Sequence, residues 1–168
     1  MGMFISVDDE QMQSFFTFGG EQGDYLMTSE LYTQNSISIY QWQLNLNKAK
    51  FGDTSFLIDG YSAILDSSSP YILLPFNDFL TLSNQIEEVF IYATFSYIGQ
   101  YFYFNGNCSE YYSQLPDLIF QFNTNQDFYL TPEVYLIEEI QILGGSSLNV
   151  ICILPFTSVS TNQYILGQ

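Results

Sequence analysis

The 168-residue chain contains no histidine and no arginine, and its two basic side chains are Lys48 and Lys50. Without histidine it lacks the usual neutral-pH general base and the commonest metal ligand. Serine-triad and cysteine–histidine catalysis within the chain are excluded, and a zinc site is not expected. Against two lysines stand 18 acids, a formal net charge of −16 and a pI near 4.1. Such a surface repels phosphate backbones and anionic lipid, so neither nucleic acid nor membrane is an expected partner. Carboxylates at this density relax as they protonate, which suits an acidic environment.

Cysteine is scarce. Cys108 and Cys152 form either one disulfide or two buried thiols. The N-terminal MGMFISVDDE lacks the charged start and long apolar core of a secretory signal. Gly2 and Ser6 match a short acylation pattern, for which coincidence is the preferred reading. Residues 89–107 carry no charge, but Thr94, Ser96, Gly99, Gln100, Asn105 and several tyrosines favour strand over a membrane span.

What the chain has in quantity is strand-forming sequence, 47% hydrophobic and 18% aromatic. SFFTFGG (14–20) ends in a glycine turn. SISIYQWQLNLNKAKF (36–51) alternates as a half-buried strand or hairpin. TSFLI and YSAIL flank Asp59-Gly60, a hairpin signal. FNDFLTLSNQIEEVF (76–90) spaces Phe76, Phe79, Leu80, Leu82 and Ile86 as a helix, with Asn77 as its cap. Further strand signals follow in YIGQYFYF, LPDLIFQFN and NVICILPF. Thr131-Pro132-Glu133 opens a turn or short helix, and 144–147 is a polar break. With no repeat and no linker, the prediction is one mainly β domain with one or two short helices.

AILDSSSPYILLP (63–75) sets Asp66 between two apolar runs. An unpaired carboxylate costs several kcal/mol to bury, so Asp66 is either a solvated turn acid bonding nearby N–H groups or an acid held in a cleft.

Here the chain resembles the C-terminal lobe of the pepsin-like aspartic proteases. The family's apolar-apolar-Asp-Thr/Ser-Gly-Thr/Ser motif aligns with Ile64-Leu65-Asp66-Ser67-Ser68-Ser69, and its following apolar stretch with Tyr71 to Pro75. FGG at 18–20, YQWQLNL at 40–46, LPDLIFQFN at 115–123, FYLTPEVYLI at 128–137 and YILG at 164–167 resemble further family segments in the same order.

The resemblance implies a pepsin-like lobe of antiparallel sheets and makes residues 1–168 a C-terminal lobe truncated at its C-terminal end. It implies that Asp66 is catalytic, one of two aspartates that share a proton across a water. Ser67 would bond backbone across the lobe junction, and Ser69 would hydrogen-bond the outer oxygen of Asp66. Ile165, Leu166 and Gly167 would pack beside the loop, and Cys108 and Cys152 would pair. Ser68 replaces the family's glycine. Asp53, in a Gly52-Asp53 turn, reads as a solvated acid. No metal or cofactor is implied. The partners implied are a peptide or protein substrate, and either a missing N-terminal lobe or a second copy of the chain. The implied location is secretory, lysosome-like or extracellular. The implied function is half of an acid endopeptidase, and the alternative is a non-catalytic peptide-binding or structural lobe. Asn107-Cys108-Ser109 is a glycosylation sequon given little weight, because a paired Cys108 would crowd it.

Overall fold

One strand with an extra residue organises the larger sheet. In β3 (Gln43–Phe51) the register against its neighbour shifts between Leu46 and Lys48. The inserted residue re-aims the pleat, so Leu46, Ala49 and Phe51 all face inward.

The computed structural model describes residues 2–4, 15–17, 34–90, 93–96, 101–123, 126–143 and 147–167. The chain divides into two units, Met1–Thr33 and Gln34–Gln168. In the first, β1 (Gly2–Phe4) pairs antiparallel with β2 (Phe15–Thr17). The glycine turn at 19–20, Ser6 of the acylation pattern, Gly99, Gln100, 144–146 and Gln168 lie outside the described residues.

The second unit is mainly β. Its larger sheet contains β3, β4 (Thr54–Ser55), β5 (Ser62–Leu65), β6 (Ile72–Pro75), β9 (Leu118–Phe122), β10 (Asp127–Leu130), β13 (Phe156–Val159) and β14 (Gln163–Leu166). The order is β10-β9-β3-β5-β14-β6-β13, with β4 paired to β3. A four-stranded sheet runs β11-β12-β8-β7, from Ile137–Leu143, Ser147–Leu154, Tyr101–Asn105 and Thr94–Ser96. Phe56, Phe120 and Tyr164, all nearly sealed from solvent, meet at ring separations of 6.3–6.5 Å in the core. Cys108, opening a 3-10 helix at Cys108–Glu110, is disulfide-bonded to Cys152 on β12. No helix among the described residues is long and apolar enough to cross a membrane.

The helix α1 spans Phe76–Val89. Asp78, Leu82 and Ile86, four residues apart, are its fully buried stripe, whereas Phe76 and Leu80 are exposed. Asn77 is not its cap. It sits inside the first turn and donates Nδ2 to the Asp59 carboxylate, while Pro75 precedes the helix. The second helix, α2 (Pro132–Tyr135), begins where the Thr-Pro-Glu sequence predicts.

Two other expectations fail. Residues 36–42 are a loop rather than strand, because the Ser36 hydroxyl makes short-range bonds with Ser38, Gln41 and Gln43 backbone that compete with a ladder. Asp59-Gly60 is not a hairpin turn, since β4 pairs with β3 and β5 pairs with β3 and β14. The chain there is gathered around a buried side chain described below.

Candidate active site

The segment from 62 to 75 climbs one strand, turns, and descends another, but the two strands are not neighbours. β14 lies between them, parallel to β5 (Leu166 opposite Leu65) and antiparallel to β6 (Leu166 opposite Ile72). The turn at 66–71 therefore bridges the C-terminal end of β14. The Asp66 backbone N–H donates to the Leu166 carbonyl at 3.0 Å and ties the turn to that strand end. Gly167 continues β14 under the turn. A Cβ there would collide with the carbonyl oxygens of Ser69 and Tyr71, which are backbone and cannot swing aside. Glycine is needed for this approach.

The Asp66 side chain is half-buried at the mouth of the turn, with Ser67 and Ser68 exposed beside it. Its Oδ1 accepts the Ser68 backbone N–H at 3.0 Å and the Ser68 hydroxyl at 2.6 Å. The hydroxyl bond, then the backbone bond, hold the Asp66 carboxyl below its ordinary range, against a smaller opposing push from desolvation. The hydroxyl expected on Asp66 from Ser69 thus comes from Ser68. Ser69 Oγ instead donates to the Tyr71 carbonyl at 2.9 Å and accepts the Tyr71 N–H at 3.2 Å, closing the turn on itself. Shifting the hydroxyl from position 69 to 68 is made possible by the serine that replaces the family's glycine.

A second carboxylate escaped the sequence reading. Asp78, in the first turn of α1, is fully buried. Its Oδ1 accepts N–H groups from Ile58 (3.1 Å) and Asp59 (2.7 Å). Its Oδ2 accepts the Gly60 N–H (3.1 Å) and the Tyr164 hydroxyl (2.5 Å). Four donors take the place of water around this acid. Burial and the adjacent Asp78 carboxylate push the Tyr164 phenol far up. Gly60 has no room for a Cβ, which would enter the Tyr164 ring. Tyr164 stands on β14 two residues before Leu166, so the same strand is anchored below by Asp78 and above by Asp66. The available signal was an acid in the first turn of a helix, a position that the helix dipole favours.

The sequence-derived residues sort clearly. Asp66, Ser67, Ser68 and Ser69 share the turn, and Leu166 and Gly167 lie against it, whereas Ile165 sits one residue back, paired between Ile64 of β5 and Leu73 of β6. Cys108 and Cys152 are bonded to each other. Asp53 is exposed in the β3–β4 turn, and Asp59 is held by Asn77. Among the described residues no group of three or more His, Cys, Asp or Glu could hold a metal ion.

A family model described as eukaryotic aspartyl protease matches residues 2–168. Among solved structures, the chain is similar to basic 7S globulin from soybean, with a TM-score of 0.56 and 12% identity over 76% of this chain and 33% of that one. The aspartic proteinase of Irpex lacteus matches with a TM-score of 0.49 and 18% identity, over 75% of this chain and 36% of that one. The chain thus spans about a third of the length of either structure. No curated protein matches it. The soybean structure supports the fold alone, whereas the family model covers nearly every residue: the chain belongs to the eukaryotic aspartyl protease family.

Proposed function

We propose that the chain is the C-terminal lobe of a pepsin-like endopeptidase that hydrolyses peptide bonds in acid once a second lobe supplies the other carboxylate. The observation that carries this reading is Asp66, half-buried on a turn fastened to β14, with one oxygen held by Ser68. Aspartic protease chemistry uses two carboxyls that share one proton, because two like charges this close cannot both ionise. Ser68 favours the ionised form of Asp66, which fits it to take a proton from the attacking water. The protonated partner would then polarise the scissile carbonyl. Within this lobe the other acids nearby in sequence lie elsewhere: Asp53 is exposed on its turn, Asp59 is bonded to Asn77, and Asp78 is in the core. A second lobe, or a second copy in a symmetric pair, would complete the dyad. The disulfide supports a secretory, lysosome-like or extracellular setting.

The alternative is a non-catalytic lobe that binds peptide or serves a structural role, and Ser68 at the family's glycine position favours it. The test is peptide hydrolysis between about pH 3 and 7, a range that brackets carboxylate titration. The monomeric chain should be inactive, and activity should appear in acid when a pepsin-like N-terminal lobe is added. Silence of a verified two-lobed complex would favour the alternative, while cleavage by the monomer would contradict the need for a partner.

A further inference from the structure

Asn107-Cys108-Ser109 is the chain's single Asn-x-Ser/Thr sequence, and the site around Asp66 does not use it. The paired Cys108 does not crowd the triplet. Cys108 is 2% exposed and turns inward to Cys152, which is fully buried. Asn107 and Ser109, on either side, are both exposed. Asn107 is in extended backbone (φ −75°, ψ 143°) just before the 3-10 helix, and the Glu110 carboxylate accepts its backbone N–H at 3.3 Å. The disulfide therefore draws the middle residue of the triplet into the core and leaves Asn107 and Ser109 on the surface, where the folded protein has room for an attached glycan.

We infer that Asn107 is an N-glycosylation site, the acceptor of an oligosaccharide carried on a lipid pyrophosphate in the secretory pathway. In the transfer, Asn107 Nδ2 forms a bond to the anomeric carbon of the first sugar. The bond from that carbon to the pyrophosphate oxygen breaks, Nδ2 loses one proton, and the lipid pyrophosphate leaves. Nothing is oxidised or reduced. Asn107 keeps one N–H and its Oδ1, which can still accept the Glu110 backbone N–H of the capping box, and its own backbone N–H still donates to the Glu110 carboxylate, so the folded turn tolerates the product.

The disulfide supports the assignment in two ways. The Cys108–Cys152 bond needs an oxidising compartment, and in eukaryotes this transfer takes place in such a compartment. The second concerns timing. Cys152 lies 44 residues after Cys108. At roughly 5–20 residues per second of synthesis, Asn107 precedes the closing cysteine by about 2–9 s. The triplet is thus presented as open chain before the disulfide can shut.

The test secretes the full chain from cultured eukaryotic cells and measures its mass before and after peptide N-glycosidase treatment. Asn107→Gln and Ser109→Ala are run beside it, with the disulfide checked by alkylation without reduction. The expected result is a glycan increment on the wild type that the enzyme removes, leaving aspartate at 107 in the peptide map. Both variants should lack it. A secreted, disulfide-bonded wild type with bare Asn107 would overturn the inference, as would an increment that persists in Asn107→Gln. Should that variant fail to be secreted, the wild-type peptide map and Ser109→Ala decide alone.

Discussion

Tyr164 donates its hydroxyl to the Asp78 carboxylate across 2.5 Å, in a part of the core where neither residue meets solvent. The pair joins the first turn of α1 to the strand that ends beneath Asp66. Because Asp78 also gathers the N–H groups of Ile58, Asp59 and Gly60, removing it strands several donors at once.

Tyr164→Phe should lower stability by about 1.5–3 kcal/mol, the usual worth of a hydrogen bond to a charged group. Asp78→Ala should cost more, since the buried Gly60 N–H and Tyr164 phenol lose their acceptor at about 1–3 kcal/mol for each buried group left unsatisfied, and the part-buried N–H groups of Ile58 and Asp59 lose theirs as well. Urea denaturation midpoints measure both. An Asp78→Ala protein as stable as wild type would mean that the acid is not what holds this loop.

The Ser68 hydroxyl should be readable in the titration of Asp66. Because the Asp66 carboxyl lies below its ordinary range, it contributes stability above the unfolded-state pKa and loses it as pH falls through the folded one. Carbon-detected NMR should place the wild-type Asp66 midpoint below that of a free aspartate. Ser68→Gly, which removes the hydroxyl and keeps the N–H, should raise it. An unchanged midpoint would show that the hydroxyl does not hold the carboxylate in solution.

Gly167→Ala should disturb the Asp66 turn selectively. Its Cβ would push against the Ser69 and Tyr71 carbonyls, at a cost of about 1–3 kcal/mol for overpacking. Amide exchange should accelerate at Asp66, whose N–H donates to Leu166, before it does so in β3 or β9. Uniform acceleration would contradict a local role.

The Cys108–Cys152 bond should survive purification from an oxidising host and resist alkylation until reduced. Closing a loop of this length is worth about 4 kcal/mol in the chain-entropy model. Reduction should therefore lower the thermal midpoint markedly, and two thiols that alkylate freely in unreduced protein would refute the bond.

Much of this arrangement was legible in the residues. The apolar runs on either side of Asp66 become β5 and β6, the alternation of Leu118, Phe120 and Phe122 becomes a strand with one buried face, and the helical spacing of Leu82 and Ile86 becomes α1. What was hidden depended on contacts between distant positions. Asp59-Gly60 has the letters of a hairpin turn, yet Asp78, eighteen residues beyond Gly60, claims its N–H groups. The alternation of Ser36 to Gln41 suggested strand until the Ser36 hydroxyl offered the backbone a local alternative. Ser68 and Ser69 differ by one position, and only the geometry of the turn decides which hydroxyl reaches Asp66.

The central claim is that Asp66 is this lobe's share of a proton-sharing pair, and Asp66→Asn tests it most directly. The measurement is the rate of peptide hydrolysis in acid by the two-lobed protein, wild type and variant, at equal folded concentration. Losing a general base typically costs 10²–10⁴-fold, so the variant should fall by about that factor with its fold and disulfide intact. A variant that cleaves at the wild-type rate would contradict the account.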